Sequence, residues 1–184
     1  MSGAGTICTI IVAAILVGCQ FDPHADLYTT SEPEEEYILG TYVLDWLSLP
    51  SEARVNMPEI SIEVRANGMF SATNIPPWDV EVGDGFASSL VSGDGHWKKE
   101  PMGILDPGRR TIWGICLQTP EQAEFSSRWK EISANLKEGD ALTDFPKVKF
   151  LGAKLIGQKP PYGLMFTLGD PDSGHAIILK RTGD

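Results

Sequence analysis

Three cysteines in 184 residues leave no room for a disulfide framework, so the fold has to rest on a packed core. Cys8 and Cys19 both stand near the N-terminus, which leaves Cys116 alone in the rest of the chain. A lone thiol can be a nucleophile. In Ile112-Trp113-Gly114-Ile115-Cys116-Leu117, however, the setting is apolar and no base is adjacent, so a buried inert thiol is the better reading. Basic residues are also scarce, with 15 Lys and Arg against 25 Asp and Glu. Phosphate binding rests on clustered Lys and Arg, which excludes nucleic acid as an expected partner. There is no Gly-x-Ser-x-Gly, no Walker loop and no Gly-x-Gly-x-x-Gly, so the hydrolase, nucleotide and dinucleotide signatures are all missing. His24, His96 and His175 have no histidine two, three or four residues away, so no local zinc motif exists. Asp170 and Asp172 begin an Asp-x-Asp pattern, but Gly174 and Arg181 occupy positions 5 and 12 of the calcium loop that would follow, and a plain turn fits better. Asp84 and Asp94, each between glycines, read as turn residues too. No catalytic residue, cofactor or metal is expected.

Long apolar runs are missing as well. Ile7 to Val17 is uncharged, but a membrane-crossing helix needs roughly 20 such residues. The run has the length of a secretory signal core. It ends in Leu16-Val17-Gly18-Cys19, which resembles the lipobox of bacterial lipoproteins. That resemblance implies that Leu16, Val17 and Gly18 are read as signal, that the chain is cut before Cys19, and that Cys19 carries the lipid. Two or more acyl chains hold a protein stably to a bilayer where one does not. Gln20, rather than Asp, follows the cysteine. This resembles the class of lipoproteins sorted to the outer membrane, facing the periplasm.

The expected division is a signal peptide over 1–18, a lipidated cysteine with an acidic tether over 19–36, and one domain over 37–184. The tether expectation rests on Gln20 to Glu36, which holds Asp22, Asp26, Glu32, Glu34, Glu35 and Glu36 but no Lys or Arg. Such composition favours a flexible coil, here a spacer lifting the domain off the membrane.

The domain itself reads as mainly β, an antiparallel barrel or sandwich. A strand is expected over Tyr37 to Leu47, with Gly40 as a bend. Asn67-Gly68 should form a type I′ turn joining strands Ser61–Arg65 and Met69–Thr73. The stretch 78–95 is rich in turn residues, and an extended pattern resumes at His96. Asp106-Pro107-Gly108 suits a type II turn leading into Thr111–Leu117. Thr119 and Pro120 open an amphipathic helix near 120–137 that aligns Phe125, Trp129, Ile132 and Leu136. Strands then follow over Lys147–Ile156, Tyr162–Leu168 and His175–Lys180.

Leu39-Gly40-Thr41-Tyr42, Asn67-Gly68-Met69-Phe70 and Gly93-Asp94-Gly95-His96-Trp97 together resemble small lipocalin-like or calycin-type domains of bacterial lipoproteins. The aromatic residues Trp46, Trp97, Trp113, Trp129, Tyr42 and Phe70 lie in alternating or helical apolar patterns and are expected in the core. Trp78, after Pro76-Pro77, is the best candidate for an exposed recognition residue. The expected function is a lipid-anchored, non-enzymatic cell-envelope protein. Its partners would be the membrane, through the lipid, and either a small apolar ligand or an envelope protein. A competing reading is an immunity or inhibitor-type lipoprotein that blocks another protein. Behind it stands a hydrolase with a site built from dispersed residues.

Overall fold

A computed structural model describes residues 22–49, 54, 57–76, 90–105, 108–120, 152–168 and 174–183. Its eight strands are β1 (Gly40–Leu44), β2 (Ser61–Val64), β3 (Met69–Ile75), β4 (Val91–Leu105), β5 (Arg110–Gln118), β6 (Gly152–Ile156), β7 (Gly163–Thr167) and β8 (Ala176–Arg181). Each pairs antiparallel with its neighbour in sequence, and β1 returns to β8 through Tyr42–Arg181, Val43–Lys180 and Leu44–Leu179, so the sheet closes into a barrel with no free edge. The expected antiparallel β architecture is thus a barrel and not a sandwich.

Alternation decides what faces inward. Ile62 and Val64, Phe70 and Ala72, Ile115 and Leu117, Ala153 and Leu155, Leu164 and Phe166, and Ile177 and Leu179 are spaced two apart and join Tyr42, Leu44 and Trp97 in one packed cluster. The Tyr42 hydroxyl, which burial pushes up to about 12, donates to the Ile38 carbonyl at 2.6 Å, so the phenol is satisfied inside.

Several local expectations are corrected. The hairpin joining β2 and β3 falls where Asn67-Gly68 places it, but the turn is of a different type. Gly68 N–H donates to the Arg65 carbonyl at 3.2 Å, with only Gly68 (φ +75) of the pair in the left-handed region. Asn67 avoids that region because its side-chain oxygen accepts the Met69 N–H at 3.1 Å, giving a three-residue loop with a glycine bulge. Gly93-Asp94-Gly95 is no turn at all; it lies inside β4. Gly95 serves close approach, since a Cβ there would sit 2.2 Å from the Gln118 carbonyl oxygen and 2.8 Å from the Phe70 ring. The strand expected over Tyr37 to Leu47 shortens to Gly40–Leu44, because 3-10 turns at Glu35–Tyr37 and Trp46–Ser48 flank it. Of the turn expected at Asp106-Pro107-Gly108, only Gly108, at φ +106, lies within the described residues, beside the Leu105–Arg110 rung that joins β4 and β5. The expected helix near 120–137 lies outside the described residues except for Pro120, as do 147–151 of the strand expected over Lys147–Ile156.

The largest correction concerns the tether. From Asp22 onward the segment is packed, with Tyr28 and Thr29 each 1 % exposed. Among the described residues β5 and β6 pair at Gly114–Lys154, Ile115–Ala153 and Cys116–Gly152, and past Gly114–Lys154 they diverge. Residues 27–29 fill the gap. Trp113 N–H donates to the Thr29 carbonyl (3.0 Å), Thr29 N–H to Leu155 (2.9 Å) and Gly157 N–H to Leu27 (2.8 Å). The Thr29 hydroxyl donates to the Gly157 carbonyl at 2.6 Å, and the Gln158 amide to the Tyr28 carbonyl at 2.9 Å. Backbone groups left unpaired by the splayed strands are thereby satisfied. The segment then leads Ile38, 0 % exposed, into the core just before β1. Residues 22–38 therefore form a strap that belongs to the barrel.

Candidate functional site

Two places stand out on the outside of the barrel: the polar lock under the strap and the end that carries the long connections. On the outer wall, Tyr28 joins Leu105, Ile112 and Met165 in a second apolar cluster, flanked by Ala25, Ile156, Ala176 and Ile178. The Tyr28 hydroxyl donates to Asp22 Oδ2 at 2.7 Å and accepts from Lys154 Nζ at 2.9 Å, with the ammonium 4.5 Å from the ring centroid. Burial, reinforced by Asp22, pushes the phenol well above its ordinary range. Burial also pulls Lys154 down, against the attraction of Asp22. On Asp22 itself burial acts upward, but the hydrogen bonds from Tyr28 and the His24 N–H, with the charge of Lys154, prevail and leave it below the usual carboxylate value. A shifted lysine beside a tyrosine could suggest proton transfer. Here the Tyr28 hydroxyl is held by both other members, Asp22 Oδ1 accepts the His24 N–H at 2.9 Å and Tyr28 is buried, so the arrangement is a fastening. His24 adds a second one, with Nε2 2.8 Å from the Gly174 carbonyl.

Most of the residues singled out from the sequence are not among the described ones. Cys19, Leu16, Val17, Gly18 and Trp78 lie outside the described residues, as do Asp84, Asp170, Asp172 and Trp129. Cys116 is half-buried on β5, and burial together with Glu100 pushes its thiol up to about 11. It is therefore protonated at neutral pH. Among the described residues no three His, Cys, Asp or Glu side chains form a cluster that could hold a metal ion, and no helix is long and apolar enough to cross a membrane. Trp97, Tyr42 and Phe70 are in the core as expected, and Trp113 packs partly against it. Trp46 is not in the core: it is 45 % exposed beside Leu47 at 78 %. The signal that could have found it is Asp45, which halts the strand. Its carboxylate accepts the Leu47 N–H at 3.3 Å and its carbonyl accepts the Ser48 N–H at 2.8 Å, turning the chain before Trp46 can take an inward position.

The strand topology separates two ends. At one, short connections over 65–68, 106–109 and 157–162 join the strands. At the other, the chain runs from β1 to β2 over 45–60, from β3 to β4 over 76–90, from β5 to β6 over 119–151 and from β7 to β8 over 168–175. Trp46, Leu47 and the position of Trp78 all belong to the long connections. No family model matches the chain, and no curated protein or solved structure does either.

Proposed function

We propose that this is a lipid-anchored, non-enzymatic cell-envelope protein that recognises a protein partner with the outside of its barrel, at the end of the long connections. One observation carries the choice of partner over small ligand. Tyr42, Ile62, Phe70, Ile115, Ala153, Leu155, Leu164, Ile177 and Leu179 all point inward and are each 0 % exposed, so no water-sized space borders them. An eight-stranded barrel is at the size limit where side chains alone can fill it. A small apolar ligand would have to displace these residues. Long connections on a rigid scaffold are the usual place for recognition, and four of them leave one end here.

The anchor part of the reading rests on Leu16-Val17-Gly18-Cys19 and on Gln20, which favours the outer membrane facing the periplasm. The closed eight-stranded meander supports kinship with lipocalin-like domains, with the binding role moved from the cavity to the rim. The inhibitor or immunity type of lipoprotein is one form of the same reading. The hydrolase reading loses support because Asp22, Tyr28 and Lys154, the shifted groups on the outer wall, are bonded to one another.

Native mass spectrometry of the full chain, extracted in detergent from its own cells, tests both parts. The expected result is an acylated Cys19 and a stoichiometric protein partner. A stoichiometric small apolar ligand without a partner would overturn the rim-binding reading. Cys19→Ala should abolish fatty-acid labelling and leave the precursor uncut; unchanged labelling would overturn the anchor.

A further inference from the structure

The strap alters what a lipid on Cys19 would do. Only three peptide units separate Cys19 from Asp22, the first of the described residues and one already fastened to the barrel. Fully extended, they span at most about 11 Å. A barrel on a free tether through residue 36 could turn over above the membrane; a barrel held at Asp22 cannot stand away from it. Where Asp22 sits therefore decides which face meets the bilayer.

That place is fixed by three contacts. Asp22 is tied to Tyr28 and lies 3.9 Å from the Lys154 ammonium, and His24 is hydrogen-bonded to Gly174, just before β8. Pro23 also packs on Gly174, where a Cβ would sit 2.9 Å from the Pro23 ring. The exposed apolar pair is pinned to the same strand. Asp45 N–H donates to the Ile178 carbonyl at 2.8 Å, and Ile178 N–H donates to Ser48 Oγ at 3.1 Å, so the turn Trp46–Ser48 lies along the first half of β8. Ile178 and Ala25 of the strap both pack against the outer cluster around Tyr28. The leash and the apolar pair thus share one strand and one end of the barrel.

We infer that Trp46 and Leu47 dock the barrel onto the bilayer surface, a claim that rests on the lipidated Cys19 proposed above. Trp favours the headgroup level, where its ring is half apolar and half wet, and Leu47 supplies the apolar tip that enters the acyl boundary. The charges around them are matched. The Asp45 carboxylate is 2.7 Å from the Lys180 ammonium, and Asp22 is held by Tyr28 and Lys154. Arg54, the other cation near Asp45, donates to the Leu49 carbonyl at 3.0 and 2.8 Å, so the cations around the pair are already held and the face fits a zwitterionic phospholipid surface. β4, which receives the connection over 76–90, lies across the closed barrel from the β8–β1 pair, so docking would leave that side to a partner.

The full lipidated protein in phosphatidylcholine vesicles, with Cys116→Ser as background, gives the test. A spin label is placed at Leu47→Cys or, on the short-connection end, at Asn67→Cys. The label at 47 should be shielded several-fold from an aqueous nickel chelate and accessible to oxygen, while the label at 67 stays in water. A water-exposed label at 47 on protein whose Cys19 is acylated by mass overturns the docking alone. An unmodified Cys19 overturns the anchor and the docking with it. Loss of shielding on raising the salt concentration would overturn apolar docking in favour of an electrostatic contact.

Discussion

Leu164 and Met165 are neighbours on β7 and equally buried, at 0 % and 1 % exposed, but different parts of the chain bury them. Leu164 points into the barrel and belongs to a core cluster to which all eight strands contribute. Met165 points outward and would face water in a bare barrel; it is covered by the strap, with Tyr28, Leu105 and Ile112. The inner cluster depends on sheet closure and the outer one on seventeen residues that precede β1. One strand therefore carries two layers whose stabilities should be separable.

Substitutions inside should cost the most. Phe70→Ala removes a fully buried ring and should cost about 3–5 kcal/mol, read by chemical denaturation. Gly95→Ala should cost about 1–3 kcal/mol, because the clash is with the Gln118 backbone and that ring, neither of which can yield freely. The strap should come next. Tyr28→Ala should cost about 2–3 kcal/mol and, unlike the inner substitutions, raise amide exchange at Thr29, Trp113 and Gly157 while leaving β2 and β3 protected. If exchange rises uniformly instead, the two layers are one cooperative unit and the comparison fails. Tyr28→Phe keeps the ring and loses the hydroxyl to Asp22 and Lys154, so a smaller loss of about 1 kcal/mol is expected.

Acid should loosen the strap before the barrel. The folded pKa of Asp22 is depressed, so its contribution is present above the unfolded value of 3.8 and is lost as pH falls through the folded one. The exchange protection of Thr29 should fall in that window, and Asp22→Asn should remove the pH dependence while lowering protection at neutral pH. A strap whose protection is indifferent to both changes would show that the seam hydrogen bonds, and not the Asp22 lock, hold it.

What the sequence could show follows the same division. Inward residues announce themselves by alternation, as in Ile62 and Val64 or Leu164 and Phe166, because each strand repeats the signal and the sum is robust. The strap has no such repetition. Its attachment uses the backbone of Leu27 and Thr29 and a single aromatic, Tyr28, in a stretch whose acidic composition reads as coil. Glu34, Glu35 and Glu36 are indeed exposed, so composition described their surroundings correctly but not the path of the chain. Gly93-Asp94-Gly95 misled in the opposite way, since glycine serves close approach as often as turning and only the partner, Phe70 with Gln118, distinguishes the two. Trp46 reads as core from its apolar neighbours, while the turn after Asp45 that exposes it is a hydrogen-bond effect of one carboxylate and one carbonyl.

The smallest effect is expected at Cys116, and it probes the border between the two layers. Cys116 pairs with Gly152, the first described residue of β6, on the outer face of β5 three residues along from Trp113, where the strap bonds. With its thiol pushed up to about 11 from 9.0, the thiolate fraction at mildly alkaline pH is ~100-fold below that of an unperturbed cysteine. Iodoacetamide should therefore alkylate it slowly in the native protein, and Cys116→Ala should shift stability by less than about 1 kcal/mol, as half-buried sites commonly do. Alkylation at the rate of an unhindered thiol would mean that β5 and β6 part at this rung as well as at Trp113. The strap would then be closing a seam open at both ends, and the outer layer would matter more to barrel closure than its position suggests.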